Sequence, residues 1–190
     1  PSEVVFSYSY TDAVNDGYLT PAMDARALGA AVEAFSKRLL EQFGYHSIDS
    51  SSSTENQDWD LIVCKGKQKI WVECKAYKSQ VVSPSAANSL LKAILMRKIK
   101  QAIPQDDIVL LIVLSKIPSF QKDEIYERYQ IIVLDIENLV FYSKSNQSLL
   151  KQLSQITYFP IDSIEGLPSR EVEQIGLSFS IAKSEIIYEA

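Results

Sequence analysis

The chain of 190 residues is long enough to bury a sizeable core and fits one domain. Its composition, 46% hydrophobic and 23% charged, is ordinary for a globular protein, and no apolar run approaches the roughly 20 residues that a membrane span needs. A net charge of −5 argues against a protein that coats nucleic acid non-specifically, since phosphate binding draws on Lys and Arg, but it leaves room for one local basic surface.

The chain opens on Pro1 rather than Met, which leaves room for an upstream region, and no basic stretch followed by an apolar core marks a secretory signal. Cys64 and Cys74 are too few for a disulfide framework, and no Cys/His cluster suggests zinc. Two buried free thiols in a reducing, cytoplasmic setting are therefore expected.

In chain order, residues 4–10 alternate like a strand or extended arm, and Asn15-Asp16-Gly17 is turn-like. Asp24 is placed to cap a helix running to about Phe43, with Gly44 as its stop. Leu28, Val32, Phe35, Leu39 and Phe43 would form its buried stripe. A short strand over 45–48 precedes two clearer ones over 59–64 and 69–75, and Ser50 to Ser53 reads as a loop. A helix follows over about 85–102, with Leu90, Leu91, Ile94, Leu95 and Ile99 expected inside. Residues 108–114 are a near-continuous apolar run, the mark of a strand covered on both faces. A short helix over 120–129 leads to another apolar strand over 131–134. Asp135 and Glu137 read as loop capping. Residues 147–190 suggest one or two further helices and a final strand over 177–188. Helix, three strands, helix, strand, helix, strand implies an α/β fold, a mixed β-sheet flanked by helices.

The hairpin carries the chemistry. With Gly66-Lys67 as a two-residue loop, glycine first as a type II′ turn prefers, Asp60 falls directly opposite Glu73. Lys75 lies two residues beyond Glu73 and so shares its face. Directly opposed like charges are destabilising, and a divalent cation such as Mg²⁺ is the natural way to hold them. Leu61, Val63, Ile70, Val72 and Cys74 then form an unbroken apolar surface on the opposite face. The spacing alone equally fits a solvated charged edge, with Asp58 opposite Lys75 as a surface ion pair. Glu33 lies roughly 120° from the centre of its helix's apolar stripe, on a flank from which it reaches the same site or remains a solvated glutamate. Lys92, Arg97, Lys98 and Lys100 cluster on the next helix as a nucleic-acid-binding candidate or a solvated face. His46, the only histidine, has no partner motif and is expected to be structural or exposed.

Asp60, twelve intervening residues and then Glu73-Cys74-Lys75 resemble the D-x(n)-E-x-K core of the PD-(D/E)xK phosphodiesterases, with Trp59 where a Pro is usual. More closely, the chain is similar to Mrr-type restriction endonuclease domains. Their first-helix pattern reads here as Gly29-Ala30-Ala31-Val32-Glu33, Leu39-Leu40 and Gly44-Tyr45, and their strand motif as Glu73-Cys74-Lys75-Ala76-Tyr77.

The resemblance implies a restriction-endonuclease-like core of order αβββαβ over about residues 24–135. Residues 1–22 would be an N-terminal arm and 147–190 a C-terminal extension, additions that cover the sheet or build a homodimer interface. It further implies an endonuclease that hydrolyses DNA with Mg²⁺, or Mn²⁺ in its place. Asp60, Glu73 and the carbonyl of Cys74 would ligate the metal. Lys75 would handle the nucleophile, and Glu33 would add an outer or second-metal carboxylate. Two other readings stay open: a catalytically silent member that binds nucleic acid, and a protein-interaction module.

Overall fold

A computed structural model describes residues 25–48 and 58–174. The expected arm, the Asp24 cap, the Asn15 turn, the Ser50 loop and the strand over 177–188 lie outside these residues.

Helix α1 spans Ala25–Gln42. Val32, Phe35, Leu39, Leu40 and Phe43 are buried, and Leu28 packs partly against them. The stop at Gly44 forms as the sequence suggests. Its φ of +87° closes a paired cap in which Tyr45 N–H donates to the Leu40 carbonyl (3.1 Å) and Gly44 N–H to that of Glu41 (3.0 Å).

Strand β1 is only His46–Ser47, at one edge of the sheet. Strand β2 spans Leu61–Lys65 and β3 spans Gln68–Lys75. Their antiparallel register pairs Lys65 with Gln68 and Leu61 with Val72, the register that a two-residue loop requires. Gly66 takes φ +60° while Lys67 keeps a negative φ, as a type II′ turn demands. The expected strand over 59–64 starts later than its apolar residues suggest. Trp59 and Asp60 precede the ladder, because Trp59 is only 4% exposed and packs with Trp71 (ring centroids 5.8 Å apart) rather than extending the strand.

Helix α2, Pro84–Lys100, begins at Ser83, whose hydroxyl accepts from Ala86 N–H (3.2 Å). It crosses over to β4, Ile108–Val113, which runs parallel to β3 and is buried along its whole length. Helix α3, Ser119–Tyr129, crosses to β5, Ile131–Leu134, parallel to β4. The sheet order is β1-β2-β3-β4-β5. Three further helices follow: α4, Ile136–Ser143; α5, Gln147–Ile156; and α6, Arg170–Gln174. Helix α4 has no counterpart in the sequence reading. Asp135 does cap, but it caps a helix rather than a loop, in a reciprocal box with Asn138.

Helices cover both faces. On one side Val63, Ile70, Val72, Leu110 and Ile112 pack against α1, α4 and α5 through residues such as Phe35, Leu139 and Leu153. On the other, Ile62, Trp71, Val109, Leu111 and Val113 pack against α2 and α3 through Leu90, Ile94 and Ile125. Ile99, expected inside, is 70% exposed. At about 100° per residue it sits opposite Leu90, whereas Arg97 and Gln101 fall within about 20° of Leu90 and continue the inward stripe. None of the described helices is long and apolar enough to cross a membrane.

Candidate active site

The β2–β3 register fixes where the charges meet. Asp60 sits one position before the first ladder pair, Leu61 with Val72, and its Oδ2 accepts the Cys74 N–H at 2.8 Å. That bond anchors the aspartate across from Glu73 at the open end of the hairpin. Glu73 and Lys75 share the Trp71 face of β3 by strand alternation. Helix α1 lies on the opposite face of the sheet, yet its flank brings Glu33 into the same field.

The electrostatics couple several of these groups. Burial, then repulsion from Asp60 and Glu73, raises the Glu33 pKa above the ordinary carboxylate value. Burial also raises Glu73, with Asp60 adding repulsion, while Arg97 and then Lys75 pull the other way. Asp60 and Glu73 thus repel Glu33, Asp60 repels Glu73, and Lys75 attracts Glu73. Burial pushes the Cys74 thiol well above its usual range, opposed by contact with the Ser36 hydroxyl at 3.3 Å. Such a thiol is a packing group rather than a nucleophile. Both cysteines are free, but each is partly exposed rather than fully buried.

A cleft of about 300 Å³ opens beside these groups, lined by Asp60, Cys74 and Lys75 on one wall. Leu28, Gly29 and Val32 of α1, with Ala76 and Tyr158, form the rest. Carboxylate oxygens that repel one another suit a hard, partly hydrated divalent cation. Among the described residues no three His, Cys, Asp or Glu side chains are gathered closely enough to hold an ion by themselves. Any ion held here would draw on few protein ligands and keep several waters.

The basic cluster does not act as one face. Arg97 turns inward: its Nη1 donates to Glu73 Oε2 at 2.8 Å, and its guanidinium lies 4.9 Å from the centre of the Trp59 ring. Lys98 donates to the Tyr129 carbonyl at 2.9 Å, and burial lowers its pKa. Lys92 and Lys100 are exposed. Asp58, expected opposite Lys75, instead accepts from the Gln101 side-chain amide (2.9 Å), and Gln101 Oε1 in turn accepts the Trp59 indole N–H (2.8 Å). His46 is exposed on the edge strand.

Two contributors escape the sequence reading. The Arg97–Glu73 pair was legible in the wheel position of Arg97, three and seven residues after Ile94 and Leu90. Tyr158, 38% exposed and following α5, carries no sequence signal that ties it to a cleft built by residues so far upstream.

A family model for Mrr, described as restriction endonuclease, matches residues 25–104, from the start of α1 to just past the end of α2. No curated protein and no solved structure matches the chain. The match ends before β4, so it covers the helix with Glu33, the hairpin and the Arg97 helix, but not the rest of the 24–135 core. With the hairpin register and the αβββαβ order in place, the match at residues 25–104 is to the Mrr-type restriction endonuclease domain, consistent with a PD-(D/E)xK nuclease domain.

Proposed function

We propose that the protein is an Mg²⁺-dependent endonuclease that hydrolyses phosphodiester bonds in DNA, with Mn²⁺ able to replace Mg²⁺. The observation that carries this reading is the meeting of Asp60, Glu73 and Lys75 at the open end of one hairpin, within the electrostatic reach of Glu33.

Asp60, Glu73 and the Cys74 carbonyl are the groups to hold the ion. A bound divalent ion supplies a more acidic water and offsets the charge that grows on the phosphate. Lys75, exposed at the cleft wall, orients the attacking water and stabilises the same charge. Glu33 completes the field from α1. Leu28 and Val32 give that wall an apolar floor, which favours contacts with sugar or base over bulk water. The single domain spanning residues 1–190, its cytoplasmic setting and a homodimer that addresses two strands belong to the same reading.

One observation favours a catalytically silent module instead: Arg97 already neutralises Glu73. A plasmid-nicking assay separates the two. The wild type is expected to nick only with Mg²⁺ or Mn²⁺, and Lys75→Ala and Asp60→Ala to lose about 100-fold or more while keeping the wild-type circular dichroism spectrum. Metal-independent nicking, or full activity in either variant, rejects the assigned roles.

A further inference from the structure

One ion pair of Glu73 is a contact that a working metal site has to undo. Arg97 binds Glu73 at 2.8 Å with both side chains largely withdrawn from solvent, 26% and 12% exposed. The contact is no accident of a mobile surface chain. Arg97 sits on the inward stripe of α2, and Trp59, 4% exposed, lies beneath the guanidinium at 4.9 Å. Trp59 is itself fixed, by Trp71 on one side and by its indole bond to Gln101, one turn beyond Arg97, on the other. Gln101 is held in turn by Asp58, the residue two before Asp60. An aromatic platform and a helix therefore hold a permanent cation against the carboxylate assigned to the metal.

We infer that Arg97 is a further catalytic residue: it is the resident counter-ion of Glu73 in the metal-free site, and it passes to a phosphate oxygen of the DNA once a divalent cation takes over that carboxylate. This rests on the reading above for its substrate and adds a residue and an order of events. Arginine suits the transfer because its planar fork matches carboxylate and phosphate alike and its charge is never lost. The Trp59 ring keeps the guanidinium in place through the exchange, since a cation over an aromatic face is favourable without carboxylate contact. The exchange also conserves charge balance. The carboxylates receive the ion, and the arginine charge moves to the incoming anion.

Two measurements on the full chain test this. The first is calorimetric titration of Mn²⁺ without DNA. Arg97→Met, which keeps the apolar contact with Trp59 but removes the charge, is expected to bind Mn²⁺ about tenfold more tightly than wild type, because no ion pair has to be broken. A purely bracing role predicts weaker binding as the site loosens, and unchanged or weaker binding overturns the proposal. The second is single-turnover cleavage at saturating Mg²⁺. Arg97→Met is expected to lose about 100-fold, and Arg97→Lys to recover part of that loss, although its ammonium cannot reproduce the fork. Full cleavage by Arg97→Met in an active wild-type background overturns the proposal and leaves the nuclease reading standing. If the wild type never cleaves, the nuclease reading falls and the assignment of Arg97 to the DNA falls with it, while the Mn²⁺ titration still decides its place as counter-ion.

Discussion

The cluster of Glu33, Asp60 and Glu73 is a stored electrostatic cost. Burial first, then mutual repulsion, holds Glu33 and Glu73 above the ordinary carboxylate value of 4.5. Between that value and the raised ones, the folded chain binds more protons than the unfolded chain, so stability falls as pH rises through the window. Asp60→Asn removes one of the repelling charges yet keeps an oxygen for the Cys74 N–H. In EDTA at pH 7 this variant is expected to melt about 1–3 °C above wild type, and the gain should shrink as pH falls toward 4.5. Scanning calorimetry at several pH values checks it, and a lower melting temperature at pH 7 would refute the repulsion account. The opposition of Asp60 and Glu73 was readable because a two-residue loop fixes every pair across a hairpin. The Arg97 contact was harder to see, since its basic neighbours invite grouping by charge, whereas helical periodicity separates them.

At the level of elements, most boundaries follow from local signals: the glycine stop of α1, the serine start of α2 and the unbroken apolar run of β4. Helix α4 was missed because its eight residues, rich in Ile, Leu, Val, Phe and Tyr, carry no polar face to set a helical period. Its start rests on Asp135, fully buried, which accepts N–H groups from Asn138 (3.3 Å) and Ile117 (3.0 Å) and pairs with Lys122 (3.2 Å). One carboxylate thus joins the end of β5, the loop after β4 and helix α3. Asp135→Ala leaves Lys122, 12% exposed, without that partner and two buried N–H groups unmet, and is expected to cost about 3–5 kcal/mol in a urea titration. Asp135→Asn, whose single amide oxygen can still accept one of the two N–H groups, should lose less. Equal losses would show that the retained acceptor contributes nothing.

Across the whole molecule, the segment that matches the nuclease family is not the segment that holds the fold together. Strands β4 and β5 lie beyond residue 104, and the apolar face of α1 is closed by Leu149, Leu153 and Ile156 of α5. Arg38 of α1 adds a bond to Gln152 (2.6 Å). A chain ending at Leu134 keeps the core that the resemblance names but bares that face. It is expected to unfold without a sharp transition and to bind a hydrophobic dye, and a cooperative melt matching the full chain would show α5 to be dispensable. The sheet order could be read ahead because crossover rules leave few alternatives. The docking of α5 on α1 could not, since nothing local links residues more than a hundred positions apart. That docking has a consequence for synthesis. The ribosome releases Glu33, Asp60, Glu73, Lys75 and Arg97 well before the parallel strands and the helix that seats α1, and Tyr158 emerges later still. A nascent chain therefore carries these charged groups while lacking the scaffold that aligns them, and any cutting power is withheld until α5 has emerged.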